Sequence, residues 1–246
     1  MEPEVHTFFE PTTQTWSWIV ADPRSHHAVI INPVLDKGTS AGIATTGADR
    51  ILELVHHNVY HITRILETHS QRDAQTAAWY LRSQLRDKTG QAPRICTGNA
   101  IAGVQRLFAR QYGTTLGTSG FNSFQDGQTF NIGSLTCEVL LLSEQNPRGF
   151  AFVIGRNVFV GDVTHHGGRD ANTPAFGRDP TLMKKLSSFA QGYLFHPPGG
   201  EERPQTSATM RTEVSSWQHS PVTPKGSINL DRKVASPRMA NVYEME

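Results

Sequence analysis

The sequence predicts an α/β fold with helices layered outside sheet, and three observations carry that expectation. Apolar runs of strand length alternate with stretches of helical periodicity. Their order is β, β, α, β, α, β, α, followed by β, β, β, α, β, α. Asn-Pro, Gly and Ser/Thr clusters punctuate the runs where the chain must turn. Strands and helices interleaved in two successive sets bury their apolar faces most simply as helix against sheet.

The first strand-like runs are TWSWIVAD (15–22), which alternates in part, and HHAVIINPV (26–34), which ends at the turn signal Asn32-Pro33. A Gly/Ser/Thr-rich loop (36–47) leads to ADRILELVHHN (48–58), where Ile51, Leu52, Leu54 and Val55 keep helical spacing. HITRILETH (61–69) reads as a strand. Beyond it Ala74, Ala77, Ala78, Leu81 and Leu85 share one helical face. PRIC (93–96) is a short strand and 100–112 a helix, while Gly113–Ser123 reads as a linker or a surface loop. The pattern then becomes strand-rich, with SLTCEVLLL (134–142), GFAFVIG (149–155) and NVFVGD (157–162). A helix near Pro180–Phe189, the strand GYLFHP (192–197), a helix over Gln205–Trp217 and Pro-punctuated coil complete the chain. Residues 1–200 are expected to form one domain, with 201–246 a helix and tail packed on it.

Composition excludes several classes of partner. Lys and Arg number 23 against 22 Asp and Glu, and no basic cluster exceeds Lys184-Lys185, so neither nucleic acid nor an anionic membrane is expected. No apolar stretch approaches the roughly 18–20 residues that span a bilayer. The N-terminal MEPEVHTFFEPTT is acidic and has no signal-peptide core, which favours a cytoplasmic location. Cys96 and Cys137 are too few and too far apart for a disulfide framework or zinc ribbon and read as reduced structural thiols.

Three strand ends carry the polar residues of interest: Thr68-His69 with Asp73 just beyond, Asp162 after VFVG, and His196 after GYLF. Imidazole and carboxylate groups placed just past apolar strands lie on one rim of a sheet, where sites are commonly assembled, and both bind divalent metals. Taken singly, each is a turn or loop residue more often than a ligand.

Together with the order of elements, these stretches give a resemblance. The sequence TWSWIVADPRSHHAVIINPVLD, the runs ADRILELV and ITRILETH, FQDGQTFNIGSLTCEVLLL, FVIGRNVFVGDV and LFHPP are similar to the metallo-β-lactamase fold superfamily, and most similar to its glyoxalase II and persulfide dioxygenase branch. The resemblance covers most of residues 12–200 and implies an αββα sandwich of the metallo-β-lactamase type, with its site at the rim.

The same resemblance implies a depleted metal site. The family's first motif, Thr-His-x-His-x-Asp-His, stands here as Thr68-His69-Ser70-Gln71-Arg72-Asp73-Ala74. The histidine of its Thr-Pro-Gly-His turn corresponds to Gln145, the bridging carboxylate to Asp162 and the final histidine to His196. One metal position would use His69, Gln71, Gln145 and Asp162. The dioxygenase's iron triad would map onto His69, Gln145 and Asp162, where a neutral carboxamide replaces an imidazole. The other position would use Asp73, Ala74, Asp162 and His196, and keeps three of four ligands.

The expected cofactor is therefore none, or one weakly held divalent metal: zinc, iron or manganese. His69, Asp73, Asp162 and His196 are the expected acid–base groups. Gln71, Arg72, Gln145, His165, His166 and Arg169 are the candidates for substrate contacts. With a metal, such a rim suits hydrolysis of an ester, thioester or lactone; without one, it suits isomerisation, cyclisation, elimination or decarboxylation of a small organic molecule, such as a tailoring step in specialised metabolism. A persulfide dioxygenase or glyoxalase II-like metalloenzyme, and a non-catalytic ligand- or partner-binding descendant, are the alternatives.

Overall fold

The computed structural model describes residues 1–13, 15–37, 42–68, 76–97, 121–142, 149–160, 185, 188–189, 192–196 and 205–206. Its elements are β1 (Glu4–Glu10), β2 (Thr15–Ala21), β3 (His27–Ile31), β4 (Asp36–Lys37), β5 (Ile43–Ala44), α1 (Thr46–His57), β6 (His61–Leu66), α2 (Ala78–Thr89), β7 (Arg94–Thr97), β8 (Phe121–Ser123), β9 (Thr129–Ile132), β10 (Leu135–Leu141), β11 (Phe150–Ile154), β12 (Asn157–Val160), β13 (Leu194–His196) and β14 (Gln205–Thr206). One six-stranded sheet has the order β1-β2-β3-β6-β7-β8 and a second β14-β13-β12-β11-β10-β9; β4 and β5 form a small hairpin.

Strand alternation sorts the apolar residues into three layers. Ile19 and Ala21 of β2, Ala28 and Ile30 of β3, Ile65 and Ile95 face α1 and α2, meeting Ile51, Leu52, Val55, Leu81 and Leu85. The intervening residues Trp18, Val20, Val29, Ile31, Leu66 and Cys96 turn the other way, onto Cys137, Val139, Phe150, Phe152, Ile154 and Phe159 of the second sheet. Ala151, Val153, Val158, Val160 and Phe195 cover that sheet's far face, packed by Phe189 and Tyr193. Burial on both faces explains why the central strands read as near-continuous apolar runs. Tyr80 of α2 donates its hydroxyl to Asp49 of α1 (2.5 Å), coupling the two helices. Gly90 ends α2 at φ 73°, a left-handed cap that costs glycine little.

Four expectations are corrected. The N-terminal segment forms β1, an edge strand paired with β2 through seven residue pairs from Glu4↔Ala21 to Glu10↔Thr15. The end of Gly113–Ser123, expected as a linker or a surface loop, is β8, hydrogen-bonded parallel to β7. Gln205 and Thr206 are strand and not the start of a helix, because they pair with Phe195 and Leu194. The expected helix at Pro180–Phe189 does not reach its end: Lys185 is helical, but Ser188 turns back through its hydroxyl onto the Lys185 carbonyl (2.7 Å). The expected helix at 100–112 lies outside the described residues. Among the described residues no helix is long and apolar enough to cross a membrane.

Candidate active site at the sheet rim

The strand registers bring four chain segments to one rim. β6 ends at Leu66, and the next residues stay tied on both sides: Asn32 donates its amide to the Leu66 carbonyl, and Glu67 donates its own to Cys96 (both 2.9 Å). The Thr68 carbonyl then accepts the amide of Phe150, the first residue of β11, at 2.7 Å, joining the two sheets. Phe150 lies opposite Leu141, Ala151 opposite Val160, and Phe159 opposite His196. The roots of segments 69–75, 143–148 and 161 onward, and the end of β13, therefore cluster around Phe150.

Asn32 is the buttress of this rim. Its Nδ2 donates to Thr68 Oγ1 and its Oδ1 accepts the Thr68 amide, each at 2.8 Å. Ser17 donates its hydroxyl to the Asn32 carbonyl at 2.8 Å. Asn32 and Thr68 are both fully buried, and Asn32 sits at φ 49°, a conformation that asparagine tolerates better than most residues. Across the following segment, the Thr76 hydroxyl donates to the Glu67 carboxylate, and Ala77 donates its amide to the Pro33 carbonyl (2.9 Å). Residues 69–75 thus leave from and return to fixed points. Asn32-Pro33 was legible as a turn, but not its clamp on Thr68.

His196 belongs to the same rim and faces inward. Its neighbour Phe195 covers the outer face, so alternation turns the imidazole into the space between the sheets. There it stacks on Phe159 (centroids 4.5 Å apart, planes 14°) and meets Trp18 edge-on at 6.1 Å. Its Nε2 lies 3.0 Å from Asn157 Oδ1. Its Nδ1 is buried, with no hydrogen-bond partner among the described residues. The residue is 3% exposed, and burial pushes its pKa down to about 4. The ring is therefore neutral at pH 7 and presents a lone pair, the form in which imidazole acts as a ligand or a base. Neither Asn157 nor the Trp18–Phe159 box carries a signal in the linear sequence.

The other expected site residues, His69, Gln71, Arg72, Asp73, Gln145, Asp162, His165, His166 and Arg169, lie outside the described residues. Among the described residues no three His, Cys, Asp or Glu side chains form a group fit for a metal ion. His27 and His61 open β3 and β6 as a pair with ring centroids 5.7 Å apart, at the end of the sheet opposite the rim. Cys96 and Cys137 are free and buried between the sheets; burial raises both thiol pKa values, that of Cys96 to about 11, so neither is a thiolate at neutral pH.

Comparisons with known proteins bear on this rim. The chain matches a beta-lactamase hydrolase-like protein of Xylella fastidiosa at 36% identity over 166 residues, 65% of this chain and 37% of that protein. The crystal structure of a metallo-beta-lactamase from Staphylococcus aureus superposes with a TM-score of 0.61 at 13% identity, covering 92% of this chain and 68% of the other. The chain has the metallo-β-lactamase fold. The crystal structure of ETHE1 from Myxococcus xanthus is also similar, with a TM-score of 0.59 and 18% identity over 89% of this chain and 92% of that one. These likenesses to solved structures show the αββα fold. No protein-family model matches the chain. The chain spans little more than a third of the length of the curated relatives it matches first.

His196 can be tested as a donor to a divalent metal. A buried, neutral imidazole with one nitrogen hydrogen-bonded and the other unpartnered among the described residues has the chemistry of a metal ligand, whose second nitrogen is characteristically held by an acceptor. His196 is one such donor, and no group of three among the described residues completes a metal site around it.

Proposed function

We propose that the chain is a hydrolase acting on an ester, thioester or lactone bond of a small organic molecule. Its site is the rim at which Asp73, Asp162 and His196 hold one divalent ion, with His69 beside them. The observation that carries the reading is His196: a neutral imidazole at the end of β13 whose Nδ1 is left without a partner among the described residues. Such a nitrogen costs free energy to bury unless it is used. The name of the Xylella fastidiosa relative, hydrolase-like, supports the class of reaction.

When bound, the ion supplies a Lewis acid that polarises the carbonyl and activates water. The protein's own groups do the rest. Asp73 and Asp162 balance the ion's charge, and His69 accepts and returns the proton that moves from water to the leaving group. Arg72, Gln71 and Gln145 offer hydrogen-bond donors to substrate oxygen atoms, and His165, His166 and Arg169, which follow Asp162 in the chain, add further donors to the substrate. The walls that Trp18 and Phe159 form beside His196 keep the imidazole dry.

A panel of acyl thioesters, aryl esters and lactones, assayed with protein loaded with zinc, iron or manganese, tests the proposal. Turnover of one class that falls at least about a hundredfold in His196→Ala and Asp162→Asn supports it. Turnover that these variants leave unchanged, or oxygen uptake with a persulfide in place of hydrolysis, refutes it.

A further inference from the structure

Two histidines far from the rim are brought together by strand register. β3 and β6 run parallel, and His27, the first residue of β3, lies opposite His61, the first of β6. The His61 amide donates to the carbonyl of His26 at 2.8 Å and holds the two strand starts together. The next pair, Ala28 and Ile62, packs toward the helices, so alternation turns both imidazoles to the other face. Their ring centroids are 5.7 Å apart, with the planes tilted by 45°. His27 is half-buried and His61 exposed. Among the described residues, His27 Nδ1 is buried with no hydrogen-bond partner, and His61 makes no side-chain hydrogen bond or ion pair. An ion bound to two imidazole nitrogens at about 2.1 Å sets the ring centres between about 4.5 and 6.4 Å apart, for angles at the ion from square to straight. The pair meets that range with no movement of either strand.

We infer that His27 and His61 form a two-imidazole binding site for copper(II), at the end of the sheet opposite the rim. The donor count selects the ion. No third His, Cys, Asp or Glu joins the pair among the described residues, so water completes the shell. Zinc sites draw on three or four protein ligands, and two imidazoles leave zinc short. Copper(II) stands above zinc in affinity for nitrogen donors and accepts a mixed shell of nitrogen and oxygen. Both donors sit on strands that meet only in the folded sheet, so the ion binds the native chain and stabilises it. The site uses none of the residues proposed for hydrolysis and stands apart from that reading.

Copper(II) titrated into metal-free wild type, His27→Gln, His61→Gln, His57→Gln and Asp162→Asn tests this, with pulsed electron paramagnetic resonance counting the bound imidazoles. A copper site with two imidazoles is expected in the wild type, in His57→Gln, which alters an exposed histidine of α1, and in Asp162→Asn, which alters the rim. Its affinity should fall at least about tenfold in His27→Gln and in His61→Gln. Copper should also raise the urea midpoint of the wild type but not of these two variants. His61 is exposed, so His61→Gln decides the matter even where His27→Gln fails to fold. A two-imidazole signal that survives in His61→Gln overturns the inference, as does one lost in Asp162→Asn, which would place the copper at the rim. A wild type that binds copper through one imidazole or none overturns it too, as does weakening by His57→Gln equal to that by His61→Gln.

Discussion

Lowering the pH of metal-free protein from 7.5 to 5 should destabilise it through His196 alone by about 2 kcal/mol. Burial holds this imidazole at about 4 against an ordinary 6.5. Between those values the unfolded chain takes up a proton that the folded chain refuses, so stability falls as pH falls. The gap, at about 1.4 kcal/mol for each pH unit, totals about 3 kcal/mol once the pH is below 4, and about 2 kcal/mol of it is felt at pH 5. Urea unfolding of the wild type and of His196→Gln at both pH values, with a chelator present, isolates the effect. Other groups titrate in both proteins and cancel, including Asp22, whose depressed carboxyl acts only at lower pH. The wild type is expected to lose about 2 kcal/mol more than the variant. Parallel losses, within about 0.5 kcal/mol, would mean that the imidazole is not buried neutral between the sheets.

Three further outcomes are expected. Asn32→Ala removes three side-chain hydrogen bonds to Thr68 at a position with φ 49°, and should cost about 2–4 kcal/mol in urea unfolding while lowering rim activity, since His69 follows directly. Burial alone would raise the Asp22 carboxyl, but the amides of Ser134 and Arg24 and the hydroxyls of Ser25 and Ser134 outweigh it and hold the group well below the usual carboxylate range. Asp22→Ala should therefore cost about 2–4 kcal/mol above pH 5 and progressively less as pH falls below 4, where the wild-type carboxylate loses its advantage; chemical unfolding against pH reads this. Cys96 and Cys137 should resist a disulfide reagent in the native protein and both react in denaturant, a difference that a simple colorimetric titration records.

The layers were legible in the sequence where strands are buried on both faces. TWSWIVAD, HHAVIINPV and GFAFVIG announce themselves because both alternating sets of residues are apolar, one meeting the helices or the outer cover and the other the facing sheet. β1 was not, because an edge strand bearing Glu4, His6 and Glu10 owes its existence to pairing with β2, which no local pattern records. β8 and β14, three and two residues long, are likewise products of pairing alone. Of the site, His196 was legible as a polar residue ending an apolar strand. What it does with each nitrogen was not: that depends on the Phe159↔His196 register, which sets Asn157 under the ring from 39 positions away.

The proposed hydrolase holds a single divalent ion through Asp73, Asp162 and His196. Calorimetric titration of chelator-treated protein with zinc measures it most directly. One equivalent per chain is predicted, with affinity lowered at least about tenfold in His196→Ala and in Asp162→Asn. Two equivalents, none at all, or one whose affinity both substitutions leave untouched would rule out a one-ion site built on these residues.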